Sequence, residues 1–196
     1  MKLDNISLFK KINKLDLRNF TTIWGGQALS IIGSDMSGFA MTLWLWDATG
    51  KATPMVFVSL LRLIAIITLV PFAGSIADRF NRKTVLIVSD AGGALVTAVT
   101  MVLLLIGEMS VTIVYVVGFL NQVFNVFHNI ANEAIKVQVV PKEQLGRAAG
   151  MTSFSDSFSG VVAPVFAAAL IPLIGYVGVF LIDLVSFTFA FITIFM

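Results

Sequence analysis

The sequence predicts an all-α membrane protein with six transmembrane helices, and three observations carry that expectation. The chain is 58% hydrophobic and only 12% charged, whereas soluble domains carry about 25% charged residues. Its polar complement is therefore too small to clothe a water-exposed surface. The apolar residues gather into six runs, at about 22–47, 55–77, 85–106, 111–135, 147–172 and 178–196, each near the roughly 20 residues that a bilayer crossing needs. The cations fall almost wholly on alternate connections, which is the bias that orients membrane helices.

Residues 1–20 hold Lys10, Lys11, Lys14 and Arg18 but no apolar core followed by a small-residue cleavage site. They read as a cytoplasmic N-terminal segment ahead of a retained first span, not as a cleaved signal peptide. Residues 21–196 are the six-span bundle. Its connections carry turn chemistry: Thr49-Gly50-Lys51, Asp78–Lys83, Gly107-Glu108, Val140-Pro141-Lys142 and Gly175-Tyr176. With the N-terminus inside, the cytoplasmic segments hold Arg79, Arg82, Lys83, Lys136, Lys142 and Arg147 besides the N-terminal cations, and the outer loops hold Lys51 alone. Both ends then face the cytoplasm of a multi-pass protein in the plasma or inner membrane. The sequence stops at Phe195-Met196 without closing cations, as expected of a half-molecule or a truncated product.

An internal symmetry is visible in the polar residues. Gln27, Ser30, Gly33 and Ser34 of the first span are matched in spacing by Gln122, Asn125, His128 and Asn129 of the fourth. Steps of three and four residues share one helix face, so each span carries a polar stripe that lipid would penalise. The third and sixth spans each place an aspartate, Asp90 and Asp183, shortly after their start. This is the pattern of two inverted three-helix repeats, and it predicts that spans one and four face each other across a central polar cavity.

Between the second and third spans the chain reads Gly74-Ser75-Ile76-Ala77-Asp78-Arg79-Phe80-Asn81-Arg82-Lys83. This loop resembles the cytoplasmic signature of the major facilitator superfamily, Gly-x-x-x-Asp-Arg-x-x-Arg-Lys/Arg. The first span (Ile23-Trp24-Gly25-Gly26-Gln27-Ala28-Leu29-Ser30), Phe127-His128, Val140-Pro141-Lys142-Glu143-Gln144-Leu145 and Ala163-Pro164 narrow the likeness to the macrolide-efflux-like drug exporters. It covers essentially the whole chain. The resemblance implies the N-terminal half of a twelve-helix transporter, with a C-terminal six-helix half as its partner. It also implies a latch in which Gly74, Asp78, Arg79, Arg82 and Lys83 engage that half, Asp78 through a helix N-terminus. Asn81 stands where the family usually has glycine, and it tolerates left-handed backbone better than most residues. For Arg82 and Lys83, plain positive-inside anchoring is the alternative.

Asp35 lies near the middle of the first span, where a lone carboxylate is costly unless neutralised or paired. Proton or cation handling, a static pair with Arg62 of the second span, and simple cavity lining are the open readings. The fourth span concentrates Asn121, Gln122, Asn125, His128, Asn129, Asn132 and Glu133. So many polar groups at helical spacing point to a water-filled cavity rather than to single interhelical hydrogen bonds. His128 is a candidate proton carrier, with a hydrogen-bonded structural role as the alternative. Glu133 is placed as a charge relay towards the Asp78–Arg79 cluster. In the fifth span Ser159, Ala163 and Pro164 resemble a family helix-packing motif with small residues in place of glycines.

No cysteine and a single histidine exclude disulfides, thiolate sites and multi-histidine metal sites, and no cofactor is expected. No serine elbow with a partner histidine, His-Glu-x-x-His motif or phosphate-binding glycine loop appears, so the chain is not expected to be an enzyme. Nothing in it calls for nucleic acid. Lipid, protons and a hydrophobic small molecule are the expected partners. The expected function is proton-coupled efflux of molecules such as macrolides. A non-transporting fragment of such a transporter, or an exporter of another substrate such as a siderophore, is the alternative.

Overall fold

A computed structural model describes the backbone of residues 3–195, with side chains except at 3–23, 77–78, 138–139 and 193–195. The described residues are helical with short turns: α1 (Leu3–Thr49), α2 (Thr53–Arg79), α3 (Arg82–Leu105), α4 (Val111–Val139), a 3₁₀ turn at Lys142–Gln144, and α5 (Leu145–Phe195). All five α-helices contain stretches long and apolar enough to cross a membrane.

Local chemistry sets the boundaries. Pro54 sits in the first turn of α2, where its missing N–H costs nothing. Gly107 (φ 76°) makes the left-handed turn that closes α3, and Ser110 Oγ caps α4 by accepting from Ile113 N at 3.3 Å. Asn81 caps α3, its side chain accepting from Lys83 N at 3.0 Å. Asn81 does not use the left-handed backbone it can tolerate: its φ is −62° and its ψ 120°. Its role here is that of an N-cap.

Six transmembrane helices were expected, and five α-helices are found among the described residues. The runs 147–172 and 178–196 both lie in α5, whose 51 residues would extend about 75 Å if straight, more than twice a bilayer's hydrocarbon core of about 30 Å. α5 is not straight. At Gly175 the backbone leaves helical geometry (φ 70°, ψ 177°), and helical bonding resumes at once with no intervening loop. Two contacts show the resulting reversal. Asp35 meets Ser159, before Gly175, at 2.5 Å, and its neighbour Ser34 meets Asp183, after Gly175, at 3.1 Å. One turn of α1 therefore touches both limbs of α5. Near the reversal, the Tyr176 hydroxyl donates to Asp47 close to the end of α1.

α1 packs mainly on α5, while α4 packs on α2 and α3. The seam between α1 and the first limb of α5 uses small residues. Ser159, Ala163 and Ala167, at four-residue steps, are all fully buried. The main apolar core gathers Met36, Ala40, Met41 and Leu45 of α1 with Val58, Val96, Val114, Val117, Val179 and Phe180. It lies towards the end where α1 turns into α2. Towards the opposite end are two small clusters, one around Val140 and Ala148 and one around Leu86 and Ala131. Large apolar side chains such as Phe57, Ile67 and Phe72 of α2 and Phe154, Val161 and Val165 of α5 are exposed, an arrangement suited to lipid or to another helical surface.

Candidate functional site

Between the core and the α2–α3 end lies a cavity of about 490 Å³ to which all five helices contribute. α1 supplies Gln27, Ser30, Ser34 and Asp35; α4 supplies Asn121, Gln122, Asn125, His128 and Asn129. The two polar stripes read from the sequence thus line one chamber. Asn129 donates to Asn125 at 2.9 Å along the α4 wall. Gly33 departs from the stripe and faces α5. A Cβ there would lie 2.3 Å from Ser186 Oγ and 3.1 Å from Asp183 Cα, so the missing side chain is what lets α1 and the second limb of α5 meet.

Asp35 and Arg62 both line the chamber and lie within electrostatic reach of each other, yet no ion pair joins them among the described residues. Asp35 instead accepts a hydrogen bond from Ser159 at 2.5 Å and is open to the cavity. The Arg62 guanidinium passes two glycines. A Cβ at Gly38 would be 3.7 Å from Nη2, and one at Gly118 would be 3.9 Å from Nε. The cation thus reaches the chamber from α2 between α1 and α4, a placement that spacing along one helix does not reveal.

The two aspartates noted as repeat markers prove to be cavity groups. Asp183, 1% exposed, accepts from Ser34 at 3.1 Å and Thr97 at 3.3 Å. Asp90 lies 2.6 Å from His128 Nδ1 through one carboxylate oxygen, while its other oxygen is buried without a partner. The sequence singled out His128 without finding its carboxylate, because α3 and α4 meet only in the fold. Close approach of the two helices is visible at Gly92, where a Cβ would lie 2.2 Å from the Phe124 ring.

The remaining sequence candidates lie apart. Asn132 lines a second cavity of about 20 Å³ with Trp24, Gln27 and Lys136, which is about the room one water needs. Glu133 is exposed and pairs with Lys136 at 2.5 Å along α4. In the α2–α3 loop, Arg82 donates to Ala134 O at the end of α4 at 3.0 Å, and Arg79 is exposed. A Cβ at Gly74 would meet nothing within 4 Å. The Asp78 side chain lies outside the described residues. Ser159, Ala163 and Pro164 sit where α5 meets α1 and the chamber. No cluster of three metal-ligating side chains occurs among the described residues.

Comparison with known proteins bears on this arrangement. Residues 23–196 match the family description Major Facilitator Superfamily. The chain is 32% identical over 189 residues to macrolide efflux protein A of Streptococcus pyogenes, covering 94% of this chain and 45% of that protein. Macrolide efflux protein A of Enterococcus faecalis is 31% identical over 128 residues, 63% of this chain and 38% of that protein. An uncharacterised MFS-type transporter of Bacillus subtilis, YkuC, is 26% identical over 171 residues, 87% and 39% of the two chains. The chain thus spans less than half the length of each of these relatives. No solved structure gives a significant match.

Proposed function

This chain belongs to the Major Facilitator Superfamily, and we propose that it is the N-terminal half of a secondary exporter that moves hydrophobic small molecules of macrolide type outward in exchange for protons. The observation that carries the reading is the chamber. A polar, charge-bearing cavity inside helices with apolar exposed faces is costly to build in lipid and serves passage or binding. Similarity to proteins described as macrolide efflux proteins supports the substrate class.

In this reading the half crosses a cell membrane six times, N-terminus in the cytoplasm, as two inverted three-helix repeats. The reversal at Gly175 supplies the sixth crossing. Pairing across the chamber supports the repeat: Asp90 of α3 binds His128 of α4, while Asp183 of α5 packs on Gly33 and binds Ser34 of α1. Gly33 and Ser34 are the positions matched by His128 and Asn129. Asp35, open to the cavity, meets entering protons first, and Arg62 balances its charge. Gly74, Asp78, Arg79, Arg82 and Lys83 latch onto the second half, which would fill the open space beside Gly74. Glu133, held by Lys136, belongs to the same inner edge. The protein performs transport, not covalent chemistry, and needs no cofactor.

The test is efflux of a radiolabelled macrolide from cells that make this chain alone, the chain with the C-terminal half of the Streptococcus pyogenes protein, or neither. Export is expected only with both halves, and collapse of the proton gradient should stop it. Retention of the drug in all three strains would overturn the assignment.

A further inference from the structure

The chamber holds its two buried aspartates in different ways. Asp183 is surrounded by neutral hydroxyl donors, Ser34 and Thr97. Asp90, 7% exposed, faces the chain's single histidine at 2.6 Å, and its second oxygen is buried with no partner. The charged groups around this pair come from every packed element. α1 contributes Asp35 and α2 Arg62, both on the chamber wall. Beyond His128 on α4 lie Glu133 and Lys136, paired with each other. α5 contributes Asp183 and also Asp156, which lies within electrostatic reach of His128. Carboxylates outnumber cations in these surroundings.

We propose that Asp90 and His128 form a proton-carrying dyad that bridges α3 and α4 and governs when the chamber can close. The proposal deepens the proton-coupled reading above, with Asp35 as the open group met first and the dyad as the enclosed store. The Asp90 carboxylate accepts from Nδ1–H of the ring and so fixes the tautomer. The lone pair on Nε2 then takes a proton from chamber water, forming one N–H bond and leaving an imidazolium beside a carboxylate with no net charge. Returning that proton to water breaks the same bond and restores a net negative pair. A buried net charge with an acceptor oxygen lacking a donor is costly. The empty dyad therefore favours a hydrated, open chamber in which water serves Asp90 Oδ2, whereas the loaded dyad tolerates closure. Coupling follows from that difference, because exchange between the two sides requires the chamber to close.

The single histidine makes the test unambiguous. The chain, labelled with ¹⁵N-histidine and held in lipid nanodiscs, is titrated while the imidazole nitrogens are followed by magnetic resonance. In Asp90→Asn the titration curve should be displaced along the pH axis relative to wild type, and in Asp35→Asn it should persist. Coincident curves for wild type and Asp90→Asn would overturn the dyad. In the two-half system, His128→Gln keeps a donor for Asp90 but cannot carry the proton. It should lose gradient-driven efflux and retain substrate counterflow, and retained gradient-driven efflux would equally overturn the dyad. Should wild type move no substrate at all, the transport reading fails, while the resonance comparison still decides the dyad.

Discussion

Ser159 of α5 donates its hydroxyl to the Asp35 carboxylate of α1 across 2.5 Å, joining a fully buried small residue of the packing seam to a carboxylate that faces the chamber. The seam and the chamber are therefore one structure. Ser159, Ala163 and Ala167 bring α5 close enough for that hydroxyl to reach Asp35. A bulkier residue at Ser159 would separate the helices and strand the carboxylate.

Asp35→Asn tests the chemical half of that relationship. Asparagine keeps a carbonyl oxygen for Ser159 to donate to, so the seam survives, but it cannot take a proton. Gradient-driven efflux in the two-half system should collapse while counterflow persists. Losing one proton charge at 100 mV removes about 2.3 kcal/mol of drive, roughly fiftyfold in attainable gradient. Equal efflux with equal pH dependence, at matched expression, would sink the role given to Asp35.

Gly33→Ala tests the close approach on the opposite face of α1. The new methyl would meet Ser186 Oγ, which can swing only by giving up its hydrogen bond to Asp183 O at 2.7 Å, and Asp183 Cα, which is backbone. Overpacking of this kind costs about 1–3 kcal/mol, offsetting the gain of about 1 kcal/mol that alanine brings inside a helix. Thermal unfolding of the solubilised chain should therefore begin at lower temperature than in wild type. At Gly25, which has open space, the same change should stabilise.

Span lengths and the two polar stripes made most of the bundle and its chamber legible in the sequence. Those features depend on composition and period along single helices. What stayed hidden depended on contacts between helices. His128 stood out by residue type, but its carboxylate came from α3. Asp90 and Asp183 were noticed as repeat markers, and only their burial makes them cavity groups. The Arg62 path between Gly38 and Gly118 needed three helices at once. Gly175-Tyr176 was read as a turn, yet nothing in those two residues says that helical bonding resumes without a loop.

Gly175→Ala should disturb the reversal itself. Its φ of 70° with ψ of 177° lies in a region open essentially to glycine alone, where another residue costs about 1–3 kcal/mol. A Cβ there meets nothing within 4 Å, so any loss is backbone strain and not collision. The signature to seek is lower thermal stability with an unchanged helical circular dichroism signal at low temperature. Undiminished stability would mean that the reversal is made elsewhere.

Sidedness offers a direct test of six crossings, because a chain without cysteine gives no labelling background. Single cysteines at Lys51, Glu108 and Tyr176 probe one face; those at Lys83 and Lys142 probe the other. In intact cells a membrane-impermeant maleimide should label the first three, and it should label the last two only after permeabilisation. Tyr176 is decisive. If α5 crossed the membrane once, that residue would sit well inside the bilayer and resist labelling from either side. The hydroxyl contact with Asp47 near the end of α1 instead puts it level with the α1–α2 turn, so its labelling should match that of Lys51.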